Sequence, residues 1–181
     1  MHGTEAPSPW VCRWTPLIRP AGQALDLACG GGRHMRWLAA LGHAGLGVDR
    51  SPEALALAQA FGTTLQADIE AGPWPLAGRQ FDAVVVTNYL WRALWPQILA
   101  AVAPGGVLIY ETFAQGHETV GRPARADFLL APGELLQVAT QGGLRVVAYE
   151  DGFLASPERF VQRLAAVRTT GATPPARWPL A

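Results

Sequence analysis

The stretch ALDLACGGGRHMRWLAALGHAGLGVDRS, Ala24 to Ser51, strings together an apolar run, three glycines, an amphipathic run, a second apolar run and a lone aspartate. Ala24–Ala28 has the composition of a strand. Arg33–Leu41 carries Met35, Leu38 and Leu41 at helical spacing, and Gly42 stops it. Gly45–Asp49 is a second strand, and Ser51 with Pro52 starts a second helix, the hydroxyl as cap and the proline in the first turn. Glycines at a strand-to-helix handover let the backbone turn through positive φ and let a ligand approach the free N–H groups of the helix start. A flexible linker would leave Asp49 unexplained. An acid closing the second strand, about twenty residues past the first, is placed to grip both hydroxyls of a ribose. The glycines therefore mark a nucleoside site.

Outward from that unit the alternation continues. Thr63–Ala67 is a third strand, followed by the loop DIEAGPWPLAGRQ, and Phe81–Thr87 (FDAVVVT) is a strand suited to a sheet buried on both faces. Tyr89–Val102 reads as a helix kinked at Pro96, and Gly106–Thr112 as a fifth strand. The segment FAQGHETVGRPARADFLLA, residues 113–131, has little periodicity, and a loop of that length is a natural cover for a pocket. Pro132–Gln141 is a helix closed by Gly142 and Gly143, and Arg145–Tyr149 with Phe160–Arg168 forms an antiparallel pair around EDGFLASPE. The expectation is one α/β domain, a Rossmann-like doubly wound sheet of seven strands, mostly parallel with an antiparallel terminal strand. Residues 24–168 make up that domain. Residues 1–23 are an aromatic-rich segment serving as a lid or covering the sheet edge, and 169–181 an irregular tail.

Composition narrows the chemistry. The chain has 181 residues, half of them apolar, enough to bury one core. Fourteen basic residues balance fourteen acidic ones, so no basic excess advertises nucleic acid as the partner. Every basic residue is arginine; without lysine, Schiff-base chemistry and a P-loop are excluded. Cys12 and Cys29 are the only cysteines, and the histidines at 2, 34, 43 and 117 show no paired ligand spacing, which argues against a disulfide framework and a metal site. The start MHGTEAPSPW lacks the charged and apolar regions of a signal peptide, and no apolar run reaches spanning length. A cytoplasmic protein without membrane contact is the expectation.

LDLACGGG lacks the third small residue of a dinucleotide fingerprint, because Met35 stands there. The stretch resembles instead the glycine loop of class I S-adenosylmethionine-dependent methyltransferases, with Asp26 as the acid preceding the glycines and Ala28 in place of the first glycine. VDRS, ADIEAGPW, FDAVVVTNYLW and LAAVAPGGVLIYETF are similar to later elements of that family, in the family's order. ACGGGRH resembles small bacterial enzymes related to tellurite-resistance methyltransferases.

The resemblance implies S-adenosylmethionine as cofactor and S-adenosylhomocysteine as product. It implies a cofactor site built from Asp26, Ala28, Cys29, Gly30, Gly32, Arg33, His34, Asp49, Arg50, Asp68, Ile69 and Asn88, with Asp49 on the ribose and Asp68 and Ile69 beside the adenine. Arg33 and His34 stand at the helix start, within reach of the methionine carboxylate or of solvent. Catalytic candidates are Asn88 and Tyr89, after the fourth strand, and His117, histidine being the residue type best suited to general-base work. NYLW differs from the NPPY and DPPY of enzymes that methylate amino groups of nucleic acids. A small-molecule acceptor is expected. The rivals are RNA, for which Arg92, Arg122 and Arg125 would supply a basic cluster, a non-catalytic cofactor binder, and an NAD-dependent oxidoreductase.

Overall fold

The computed structural model describes residues 5–171 and 176–180. Seven strands form one sheet in the order β3-β2-β1-β4-β5-β7-β6. β1 (Gln23–Leu27), β2 (Ala44–Asp49), β3 (Thr63–Gln66), β4 (Phe81–Thr87) and β5 (Val102–Phe113) are parallel. β7 (Glu158–Val167) is antiparallel to β5, and β6 (Arg145–Ala155) to β7. The expected sheet is therefore present, with β7 alone running against the other six strands. Its chain order reverses at β1 and β4, and a ligand crevice belongs at the carboxyl ends there.

Helices cover both faces. On one side α1 (Pro9–Trp14) and α2 (Arg33–Ala40) pack over Ala24, Ala83, Val85, Ile109 and Ala165. On the other, α4 (Trp95–Ala100) and α5 (Glu134–Gln141) pack over Leu25, Leu27, Val84, Val86 and Leu108. α3 (Pro52–Ala58) joins α2 through Leu55, Ala58 and Met35. β4 shows why its sequence is a continuous apolar run: Ala83 to Val86 are all fully buried, two on each face. α2 stops as its sequence dictates. Gly42, at φ 83°, lets its own amide reach Ala39 O and that of His43 reach Leu38 O. No helix among the described residues is long and apolar enough to cross a membrane.

Three segments differ from expectation. Pro96 does not kink a helix: a 3-10 turn at Arg92–Leu94 precedes α4, and the proline sits in its first turn, where no amide is missed. EDGFLASPE is no interruption, because Glu150–Ala155 stay paired with Glu158–Arg163 and the hairpin turns only at Ser156–Pro157. Residues 113–131 are pinned by an Ala114–Leu130 bridge and two 3-10 turns.

Within the N-terminal segment, Trp10, Val11, Trp14 and Ile18 belong to the core. Trp10 and Trp14 are fully buried edge to face, 5.6 Å apart, and Trp10 Nε1–H donates to Leu164 O at 3.1 Å. α1 thus covers a face of the sheet and not its edge. Met1–Thr4, with His2, and tail residues 172–175 and 181 lie outside the described residues; the rest of the tail has no regular structure.

Candidate functional site

Parallel register brings the ends of β1, β2 and β4 together, since Leu27 lies beside Val48 and Val86. The chain leaves β1 through Ala28 at φ 55° and β4 through Asn88 at φ 53°, both left-handed without being glycine. The first turn continues through Gly30 (φ 53°) and Gly32 (φ 81°) into α2. A Cβ on Gly32 would meet Ala58 Cα and Cβ at 2.9 Å, so this glycine permits helix packing. One on Gly30 would meet nothing, which leaves its backbone open to a ligand. An alanine in the left-handed region is strained by about 1–2 kcal/mol. Ala28→Gly relieves that strain but frees the unfolded chain by about 0.4–1 kcal/mol. We expect a net stabilisation of up to about 1.6 kcal/mol in urea denaturation; a loss of stability would contradict the strain argument.

Two adjoining cavities meet at Ala28. One, of about 180 Å3, is lined by Glu5, Cys29, Gly30, Gly31, Arg33, His34, Thr87 and Asn88. The other, of about 150 Å3, is lined by Asp49, Arg50, Ala67, Ile69, Glu70 and Tyr89. A larger cavity of about 460 Å3 opens between the 74–80 loop and α4, lined by Trp74, Leu76, Pro96 and Gln97 among others. It touches no carboxyl end of the central strands. The paired cavities are the site the fold builds.

Asp49 holds the two halves together. Its Oδ2 accepts from the Gly30 amide at 2.8 Å and its Oδ1 from the Ser51 amide at 2.9 Å. Each oxygen keeps a further lone pair for a ligand hydroxyl. The Tyr89 hydroxyl is buried without a hydrogen-bond partner beside Glu70, and burial, reinforced by that carboxylate, pushes it up from its ordinary value. Burial likewise pushes the Cys29 thiol up, aided by Asp26 and Asp49, so it stays protonated and packs with Met35 and Leu55.

A buried polar row crosses the α1 face just above the apolar layer. Asp26 Oδ2 lies 3.9 Å from His34 Nδ1 and has no hydrogen-bond partner. His34 Nε2 accepts from the Ser8 amide at 3.2 Å, which leaves the imidazole proton on Nδ1. The Ser8 hydroxyl donates to Glu111 Oε1 at 3.1 Å, and Arg159 and Arg163 flank that carboxylate at 3.7 and 3.6 Å. Burial raises Asp26 to about 7, Arg33 opposing it, and the same burial lowers His34 to about 3.

These shifts have opposite signs in stability. In the unfolded chain between about pH 4 and 6.5 the imidazole holds a proton and the carboxyl does not. Folding reverses both, so the pair binds the same number of protons in either state and adds little pH dependence. Asp26→Asn uncovers His34, whose contribution is present above about pH 6.5 and lost as pH falls, so stability rises with pH by up to about 1.4 kcal/mol per unit. His34→Asn uncovers Asp26, whose contribution is present below about pH 4 and lost as pH climbs toward 7, so stability falls with pH at a similar slope. Urea midpoints across this range, referred to the unsubstituted chain, measure both slopes; slopes of the same sign would refute the pairing.

Of the residues singled out from sequence, Ala28, Cys29, Gly30, Arg33, His34, Asp49, Arg50, Ile69, Asn88 and Tyr89 line the paired cavities. Asp26 sits beneath them and Gly32 shapes the turn. Asp68 is not among the lining residues: it is exposed, and its Oδ1 accepts from the Glu70 and Ala71 amides. Glu70 lines the cavity in its place. His117 lines neither cavity. Its ring stacks on Phe113 at 4.4 Å, and its Nε2 lies 3.0 Å from Arg122 O. Glu5, Gly31, Thr87, Ala67 and Glu70 were missed. The last two adjoin residues of the DIE stretch, whereas nothing in the sequence around Glu5 points to the cavity.

Residues 24–106 match the family described as a methyltransferase domain, and the seven-stranded fold is that of S-adenosylmethionine-dependent methyltransferases. Over those residues the chain is similar to methyltransferase domains. TehB from Haemophilus influenzae superposes with a TM-score of 0.74 at 21% identity, covering 93% of this chain and 64% of that one. The chain therefore spans less than two thirds of that protein's length. A TehB-like S-adenosylmethionine-dependent methyltransferase from Corynebacterium glutamicum gives 0.65 at 19%, covering 88% and 87%. The glycopeptide N-methyltransferase MtfA, complexed with S-adenosylhomocysteine, gives 0.64 at 18%, covering 91% of each chain. At these identities the likeness is one of fold. A search of curated proteins finds no match.

Proposed function

We propose that this chain transfers the methyl group of S-adenosylmethionine to a small-molecule acceptor. The observation that carries the reading is the pair of cavities meeting at Ala28, with Asp49 at one side and Asp26 and Arg33 at the other. The residues present fit the cofactor. Asp49 keeps free lone pairs for ribose hydroxyls, and Ala67, Ile69 and Tyr89 offer an apolar slot for adenine. Gly30 offers open backbone, and the guanidinium of Arg33 lines the cavity as the partner for the carboxylate of an amino-acid end.

The bound cofactor supplies a methyl group already activated on a sulfonium, so the protein's part is alignment and exclusion of water. Asn88, held left-handed with its amide on Glu111 O at 2.9 Å, and Thr87 beside it line the cavity where an acceptor would meet that methyl. Tyr89 belongs to the adenosine side, so it drops out as a catalytic candidate in this reading, as does His117. Two of the three arginines that would attract RNA are already paired, Arg92 with Glu134 and Arg125 with Asp127. That favours a small acceptor. Incubation with methyl-labelled cofactor and cell extract, then separation into small-molecule, RNA and protein fractions, tests this. We expect label among small molecules. Label in RNA or protein would replace the acceptor class, and label in none would leave a cofactor binder without transfer.

A further inference from the structure

Glu5 brings a carboxylate into the cavity assigned above to the amino-acid end of the cofactor. It lines that cavity with Arg33, its Oε2 lies 3.7 Å from Arg33 Nη1, and its carbonyl accepts from Arg36 Nη2 at 2.9 Å. Three residues on, Ser8 is buried and fixed to His34 and Glu111. Residues 5–8 are thus a strap, anchored at Ser8, with a half-exposed carboxylate at its other end resting on Arg33.

Arg33 cannot serve two carboxylates well. A ligand carboxylate entering this cavity would lie beside Glu5 at the same guanidinium. Like charges at that range repel, and the more exposed group yields because water solvates it after release. We infer that Glu5 is an internal competitor: it fills the carboxylate subsite of the cofactor cavity, and cofactor binding displaces it while Ser8 stays docked. This rests on the cofactor reading above and adds a residue that sets how tightly the amino-acid end is held.

Calorimetric titration of the unsubstituted chain, Glu5→Gln and Glu5→Gln/Arg33→Ala tests it. The probes are S-adenosylhomocysteine and 5′-methylthioadenosine, which lacks the amino-acid end. Glu5→Gln should bind S-adenosylhomocysteine about two- to fivefold tighter, the size expected for a half-exposed ion pair, and methylthioadenosine unchanged. Adding Arg33→Ala should abolish the gain. If Glu5→Gln binds S-adenosylhomocysteine equally or more weakly, the competitor role falls and the cofactor site stands. If neither probe binds the unsubstituted chain, both fall.

Discussion

Asp49→Ala should lower affinity for S-adenosylhomocysteine by about 100-fold or more. The two hydrogen bonds a carboxylate offers to ribose hydroxyls are charge-assisted, worth about 1.5–3 kcal/mol each, and alanine supplies neither. The same change strips the Gly30 and Ser51 amides of their acceptor, so the glycine turn and the cap of α3 lose a common tie. A cost of about 1–3 kcal/mol in the ligand-free protein follows if those amides stay desolvated. Asp49→Asn separates the effects. Its amide oxygen can keep one backbone contact, but its nitrogen cannot accept from a hydroxyl. Calorimetry should therefore show both variants weakened, while urea denaturation shows the asparagine variant closer to the unsubstituted chain. Undiminished affinity in both would mean that the ribose lies elsewhere.

Trp10→Ala should cost about 3–5 kcal/mol, the usual range for removing a buried tryptophan. Trp10 is 1% exposed and packs edge-on against Trp14. It also satisfies the Leu164 carbonyl, and the Arg163 guanidinium lies 4.9 Å from its ring centre. Domains of this size are stable by only about 5–15 kcal/mol, so the variant should be near the edge of folding at ambient temperature. Denaturant melts give the number directly. A loss below about 1 kcal/mol would show that α1 is a detachable cover, against the packing seen here.

The sequence was legible where one local pattern determined one structure. Gly42 at the end of α2, Ser51 and Pro52 at the start of α3 and the apolar run of β4 each carried their own cause, and the sheet followed from their alternation. It was misleading where tertiary pairing overrode the local pattern. Gly152 and the polar residues around it resemble a break, yet the partner strand keeps them extended. Pro96 was read within a helix whose first residue was placed too early. The segment 1–23 looked peripheral because its aromatic residues have no period to tie them to a particular surface. In the site, Asp49 was placed by spacing alone, since strand length and turn length are nearly fixed. Asp68 and Glu70 were harder, because a loop can present either of two nearby acids and only its turn geometry decides.

Arg92 reaches across three chain segments. Its guanidinium donates to both oxygens of Glu134 and to the carbonyls of Asp127 and Leu129. The turn after β4, the end of the loop after β5 and the start of α5 are thereby bolted into one plate. Any rearrangement on that side has to break four bonds together. The far wall of the molecule on that side should therefore move as one body or not at all.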